Sequence, residues 1–178
     1  MEFRPTAPAE IDRVMEILAD GRDALAALGI DQWQQGYPHR EAIEADVEWG
    51  ESYVAEVDGQ LLATCMVSVR GDRNYDAIDG AWLTDSTSEE PRYAAIHRVA
   101  VAADAKGRGL AKFLMASAEQ LARQHDCESV RVDTHPGNAP MRSLALSCGF
   151  TECGIIFVHE AGNVPNATPQ RVAFEKLL

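Results

Sequence analysis

Residues 93–124, YAAIHRVAVAADAKGRGLAKFLMASAEQLARQ, decide the fold. From Ala94 to Val101 the run is apolar and β-branched except for His97 and Arg98, a composition that suits an inner strand. Two glycines follow in Lys106-Gly107-Arg108-Gly109-Leu110-Ala111, and then Leu110, Phe113, Leu114, Ala118 and Leu121 recur at helical spacing. A helix therefore begins at the glycines, where its first amide N–H groups have no intrahelical partner. Those donors and the positive end of the helix dipole favour an anion, and glycine lets the backbone approach it closely. Lys106 and Arg108 add positive charge in a chain whose net charge is −12.

The turn lacks the Gly-Lys-Ser/Thr ending of a nucleotide P-loop, and its glycines are not spaced as G-x-G-x-x-G. A helix C-cap turn or an ordinary strand–helix loop would also account for two glycines. The segment Lys106-x-x-Gly109-x-Ala111, preceded by Val99-Ala100-Val101, resembles the acyl-CoA pyrophosphate loop of the GNAT superfamily of N-acetyltransferases, usually written Gln/Arg-x-x-Gly-x-Gly/Ala. Lysine stands where arginine or glutamine is usual, and Ala103 replaces a common proline. Neither change removes the backbone donors.

Composition bounds the rest. A chain of 178 residues suits a single domain, 1–178, with a core of its own. The acidic balance argues against nucleic acid as partner and is compatible with a cationic acceptor such as an amine. No basic-then-apolar leader and no run near the roughly 20 apolar residues of a membrane span is present, so a cytoplasmic protein without a membrane partner is expected. Cys65, Cys127, Cys148 and Cys153 form no CxxC pair or zinc spacing, and no metal is expected. Asn166-Ala167-Thr168 matches a glycosylation sequon, which carries no weight without a secretory signal.

Along the chain, Glu2-Phe3-Arg4 reads as an edge strand, and Thr6 as the cap of a helix through Ile11, Val14, Leu18 and Leu25. The loop from Gly29 to Pro38 carries Trp33 and Tyr37. Either these rings wall a substrate pocket or they pack on the core. A short helix over 40–48 precedes two strand-like runs joined by Asp58-Gly59, a strong hairpin cue. Residues 70–92 read as a polar connection holding one small packed element around Trp82 and Leu83. After the central helix come a strand at 129–134, a break at His135-Pro136-Gly137-Asn138, a short helix ended by Gly149, and strands at 151–157 and 171–176. This order predicts an α/β (α+β) mixed sheet of about six to seven strands with helices on both faces.

The second half extends the resemblance. In GNAT proteins a strand is followed by Asn, a short helix ending in Gly-Phe and a closing hairpin; here Asn138, Leu144 and Gly149-Phe150 fall in that order. The resemblance covers roughly residues 50–177 and implies a central twisted sheet whose strand at 96–101 splays from that at 129–134 to form a cleft for acyl-CoA. It further implies direct transfer of an acetyl group from acetyl-CoA, the co-substrate, to an amine of a small molecule or peptide. Val99, Ala100 and Val101 would meet the pantetheine arm, an N–H near Val99 would polarise the thioester carbonyl, and Asn138 would contact the pantetheine or phosphate side. The amides from Gly107 through Arg108, Gly109 and Leu110 to Ala111 would hold the pyrophosphate.

The attacking amine must first lose a proton. His97, placed four residues before Val101 where many family members carry a catalytic or water-binding Glu, is the candidate base. Strand alternation would put His97, Val99 and Val101 on one face, and a buried imidazole that merely bonds a neighbouring strand is the competing reading. His135, just after the next strand, is a second candidate near the acceptor, with loop-end structure as its alternative. Ala145 occupies the position where family members often place a tyrosine general acid, so the thiolate would take its proton elsewhere. That departure keeps open a non-catalytic acyl-CoA-binding or regulatory domain. A third reading is an interaction module, a homodimer through the final hairpin.

Overall fold

The computed structural model describes residues 1–158 and 168–178; Asn166 of the sequon lies outside them. The elements are β1 (Glu2–Pro5), α1 (Ile11–Ala27), α2 (Arg40–Glu48), β2 (Ser52–Val57), β3 (Gln60–Ser68), β4 (Asp79–Gly80), β5 (Tyr93–Val101), α3 (Leu110–Gln124), β6 (Ser129–Thr134), α4 (Ala139–Ser147), β7 (Thr151–Phe157) and β8 (Gln170–Leu177). They form an eight-stranded sheet in the order β1-β2-β3-β5-β6-β8-β7-β4. The strand beyond the expected six to seven is β4, a two-residue piece within the polar 70–92 connection that pairs with Ile155 and Gly154 of β7. No strand periodicity can appear in two residues.

All pairings are antiparallel except β5 with β6, which α3 connects. A parallel neighbour requires such a crossover. Consecutive residues Leu62–Cys65 of β3 and Tyr93–Ile96 of β5 are buried, so both faces of the sheet centre are covered. Helices α1 and α3 each pack across β3 and β5 and supply that cover. Ile17, Leu18, Leu114, Met115 and Ala118 carry the apolar stripes, each at most 2% exposed. Fully burying a Leu, Ile or Met side chain contributes about 1.5–3 kcal/mol, and the Ala118 methyl group less.

Thr6 does not cap α1. A short 3-10 turn at Pro8–Glu10 precedes that helix, and the Thr6 hydroxyl is instead 2.7 Å from that of Ser52 on β2. Among the described residues no helix is long and apolar enough to cross a membrane.

The sheet has a second, smaller core. Tyr75, held by the 70–92 connection, packs with Tyr93, Ala95, Ile156 and Ala173 on the face opposite the principal cluster at β5. Beside it Arg131 and Glu175 pair at 2.9 Å with both side chains 0% exposed. Trp82 and Tyr93 lie at 4.3 and 4.1 Å from the Arg131 guanidinium carbon. Ser129 and Thr84 donate hydroxyl bonds to Glu175 at 2.6 and 2.7 Å. The polar 70–92 connection is thus pinned to the sheet by a buried ion pair whose hydrogen-bonding capacity is widely used.

Candidate active site

The site originates in a fault in β5. Met66 of β3 faces His97, yet Thr64 faces Ala100, so two residue steps on β3 match three on β5. The extra residue makes a β-bulge, and Arg98 takes up the distortion with φ 54°. Bulges bend and twist the strand that carries them. Accordingly β5 pairs with β6 only from Tyr93–Ser129 to Ile96–Val132, although both strands continue further.

A cavity of about 680 Å³ opens where the strands part, with Val99 and Val101 on one wall and Val132 and Thr134 on the other. Ala102 N–H donates to Leu62 of β3 at 2.8 Å. Because successive residues of a strand turn their peptide groups to opposite sides, those of Val101 face the gap that β6 has left. Ala100 is 4% exposed and belongs to the core, and it too borders the cavity.

Lys106 and Ala111 lie on the cavity wall, with Gly107, Arg108, Gly109 and Leu110 between them in sequence. Residues 106–109 are exposed, whereas Leu110 is 1% exposed and anchors the first turn of α3. Gly109, the residue before that turn, has φ 81°, and a Cβ added there would meet nothing within 4 Å. Glycine is needed for its backbone angle, and open space remains above the first amides of α3. The carboxylate of Asp20 accepts from Ala103 N–H at 2.8 Å and ties the approach to this turn onto α1. Asn138 reaches the wall from the far side of the cleft. Its Oδ1 caps α4 by accepting from Met141 N–H at 3.2 Å, and its Nδ2 donates to Thr134 at 3.0 Å.

His97 also borders the cavity, but not on the face shared by Val99 and Val101: the bulge breaks the expected alternation. Val99 and Val101 pack against the principal core, whereas His97 tilts against the Tyr75 ring at 5.9 Å. Its imidazole sits between two carboxylates, with Nε2 3.3 Å from Asp72 and Nδ1 3.9 Å from Asp133. The Tyr75 hydroxyl donates to Asp133 at 2.8 Å. Asp72 accepts from both the backbone and the side-chain amide of Asn74, at 2.8 and 2.9 Å.

The two carboxylates differ. Burial pushes Asp72 up, but the hydrogen bond and charge of His97, with the Asn74 donors, bring it below the usual carboxylate range. Burial of Asp133 dominates and raises it, with His97 and Tyr75 opposing. The imidazole thus has one neighbour that keeps its charge and one biased toward its proton. Neither Asp72 nor Asp133 was among the residues singled out from sequence. The available signal was Arg131 and Asp133 alternating with Val130 and Val132 in an inner strand, which obliges two charged side chains to share one covered face.

Trp33 and Tyr37 both border the cavity. Trp33 is not exposed; it packs in the core at 9% exposure, where a Cβ on Gly21 would come within 3.0 Å of its ring. Wall and core are the same surface here. Tyr37 lies under Arg98, 5.3 Å from guanidinium carbon to ring centre, and Arg98 in turn pairs with the buried Asp46 at 2.8 Å. His135 sits off the cavity wall. Its Nδ1 accepts from Gly137 N–H at 3.0 Å, and its Nε2 is 3.5 Å from Asp31. That carboxylate also accepts from Thr168, so His135 joins loops rather than lining the cleft. Ala145 is 1% exposed and buried, whereas its neighbour Leu144 reaches the cavity.

Among the described residues no group of three or more His, Cys, Asp or Glu is placed to hold a metal ion.

The sequence matches the family model described as Acetyltransferase (GNAT) family over residues 15–150. It matches no curated protein. A GNAT-family acetyltransferase from Streptococcus agalactiae 2603 is 32% identical and superposes with a TM-score of 0.84, covering 99% of this chain and 95% of that one. A ribosomal-protein-alanine N-acetyltransferase from Brucella melitensis shares the fold at 20% identity and a TM-score of 0.68, over 100% of both chains. So does the PaiA N-acetyltransferase from Thermoplasma acidophilum in complex with coenzyme A, at 13% and 0.67, over 99% of this chain and 98% of that one. With the parted strands, the glycine turn and the family match in agreement, this chain belongs to the GNAT family of acetyltransferases.

Proposed function

We propose that the protein transfers an acetyl group directly from acetyl-CoA to a primary amine of a small molecule or peptide, in a ternary complex. The observation that carries this reading is the shared cavity: Lys106 and Ala111 of the anion-binding turn, the parted strand and His97 all border it. The residues present fit the co-substrate. The first amides of α3 would take the pyrophosphate, aided by Lys106 and Arg108. The peptide groups of Val101, with Val99 and Ala100 beside it, would receive the pantetheine arm, and Asn138 would meet it from across the cleft.

His97 takes the proton from the ammonium, directly or through one water, freeing the nitrogen lone pair. The nitrogen then forms its bond to the acetyl carbon while a backbone N–H near Val99 steadies the oxyanion, and the carbon–sulfur bond breaks. Asp72 would hold the imidazole in place and balance its positive charge. The bonded nitrogen gives up its second proton, which passes through water to the leaving thiolate, because no phenol stands at position 145. The alanine there also favours a second reading, an acyl-CoA-binding domain without turnover.

Calorimetric titration of acetyl-CoA into wild type and Gly109→Glu, followed by thiol-release assays on an amine panel, tests both readings. The expected outcome is binding that the glutamate abolishes and turnover that His97→Ala lowers by about 10²–10⁴-fold. Binding without turnover of any amine selects the second reading.

A further inference from the structure

A second recess, about 330 Å³, opens on the other side of His97. His97, Asp72 and Met66 border both spaces and form the partition between them. The recess is otherwise walled by Ser68, Arg70, Gly71, Arg73 and Ala95. Direct transfer requires two substrates to meet at one point without sharing a path. The large cavity holds the turn suited to the cofactor, which leaves the smaller recess as the approach for the acceptor.

The charges around that approach are unequal. The Arg70 guanidinium is committed, with bonds to Glu51 at 2.7 and 2.8 Å and its carbon 4.1 Å from the centre of the Trp49 ring. Ser68 donates to the same Glu51 at 2.6 Å. Arg73 is exposed and makes no side-chain hydrogen bond or ion pair among the described residues. Next to it Asp72 faces the imidazole of His97. The recess therefore presents a carboxylate and a base at its inner end and an uncommitted guanidinium on its wall. In a chain of net charge −12 that cation runs against the overall field.

We propose that the acceptor is an amino-carboxylate whose amine is directed to Asp72 and His97 and whose acid group pairs with Arg73. The inference rests on the acetyltransferase reading above and narrows its substrate class. A guanidinium presents two parallel N–H donors that match a carboxylate, while an amine without an acid group leaves them to solvent.

The test titrates L-glutamate, 4-aminobutyrate, n-butylamine and 1,4-diaminobutane into the protein, alone and with CoA, in wild type and Arg73→Glu. The two carboxylate-bearing amines are expected to bind about ten- to a hundredfold more tightly than the other two, and Arg73→Glu is expected to erase or invert that order. Equal binding of all four, preference for the diamine, an order that persists in Arg73→Glu, or no binding by any probe overturns the proposal. Thermal unfolding of Arg73→Glu verifies that the variant is folded. Because acetyl-CoA binding is measured separately, loss of the broader reading and loss of the acceptor assignment give different results.

Discussion

At the scale of single residues, two carboxylates, Asp72 and Glu175, do different work. His97 is held by Asp72 within the cavity, so Asp72→Asn should lower kcat by about ten- to a hundredfold while acetyl-CoA affinity stays within about twofold. Steady-state kinetics beside calorimetry separates this from misfolding, which would damage both. Glu175 has a structural task. Burial would raise its pKa, but Ser129, Thr84 and Arg131 hold it below its ordinary value of 4.5. The unfolded chain then binds the proton more readily than the folded one. Its contribution to stability is present above pH 4.5 and is lost as pH falls through the lower folded value. Glu175→Gln strands Arg131 as an unpaired charge at 0% exposure and should cost about 3–5 kcal/mol at neutral pH. It should also flatten the dependence of stability on pH below 4.5, which denaturant titrations at several pH values would show. An unchanged slope would mean that Glu175 contributes little to acid unfolding.

At the scale of elements, the bulge in β5 is the feature on which the cleft depends. Arg98 sits there at φ 54°, with its guanidinium on Asp46, which is 3% exposed. Arg98→Ala should destabilise the fold by about 3–5 kcal/mol, because it leaves that carboxylate buried without its partner. Arg98→Ala/Asp46→Ala should regain part of the loss, since no charge is then stranded; urea unfolding of the pair and both single variants measures the coupling. The same bulge marks where sequence reading stops. Strands β2, β6 and β7 and helix α2 follow from apolar periodicity and from local stops such as Asp58-Gly59 and Gly149. The glycine turn before α3 could be read because its chemistry is contiguous. A bulge shifts alternation by one residue without any change in composition, so His97 and Val99 look equivalent in sequence although they face different cores. Asp72 and Tyr75 come from a polar connection with no period, and Tyr75 meets Asp133 across 58 residues. Thr6 had the chemistry of a cap, but a tertiary partner, Ser52, took its hydroxyl.

At the scale of the whole molecule, the cleft makes the sheet two halves. One half is β1-β2-β3-β5 and the other β6-β8-β7-β4; between them the sheet has only the register from Tyr93–Ser129 to Ile96–Val132. A ligand that engages Val101 and the α3 turn on one side and Asn138 on the other adds contacts across that seam in the folded state alone. Binding restricted to the native state stabilises by about 2.7 kcal/mol at a hundredfold excess over Kd. For a chain of this size each kcal/mol raises Tm by roughly 2–4 °C, so saturating acetyl-CoA should raise it by about 5–11 °C. Scanning calorimetry with and without acetyl-CoA checks this, and Gly109→Glu should lose the shift while keeping a single cooperative transition. That variant disturbs only the exposed turn, where φ is 81° and no neighbour lies within 4 Å of an added Cβ. If its Tm rises as much as that of wild type, the pyrophosphate is held elsewhere and the α3 turn is only the connection that the parallel pairing of β5 and β6 requires.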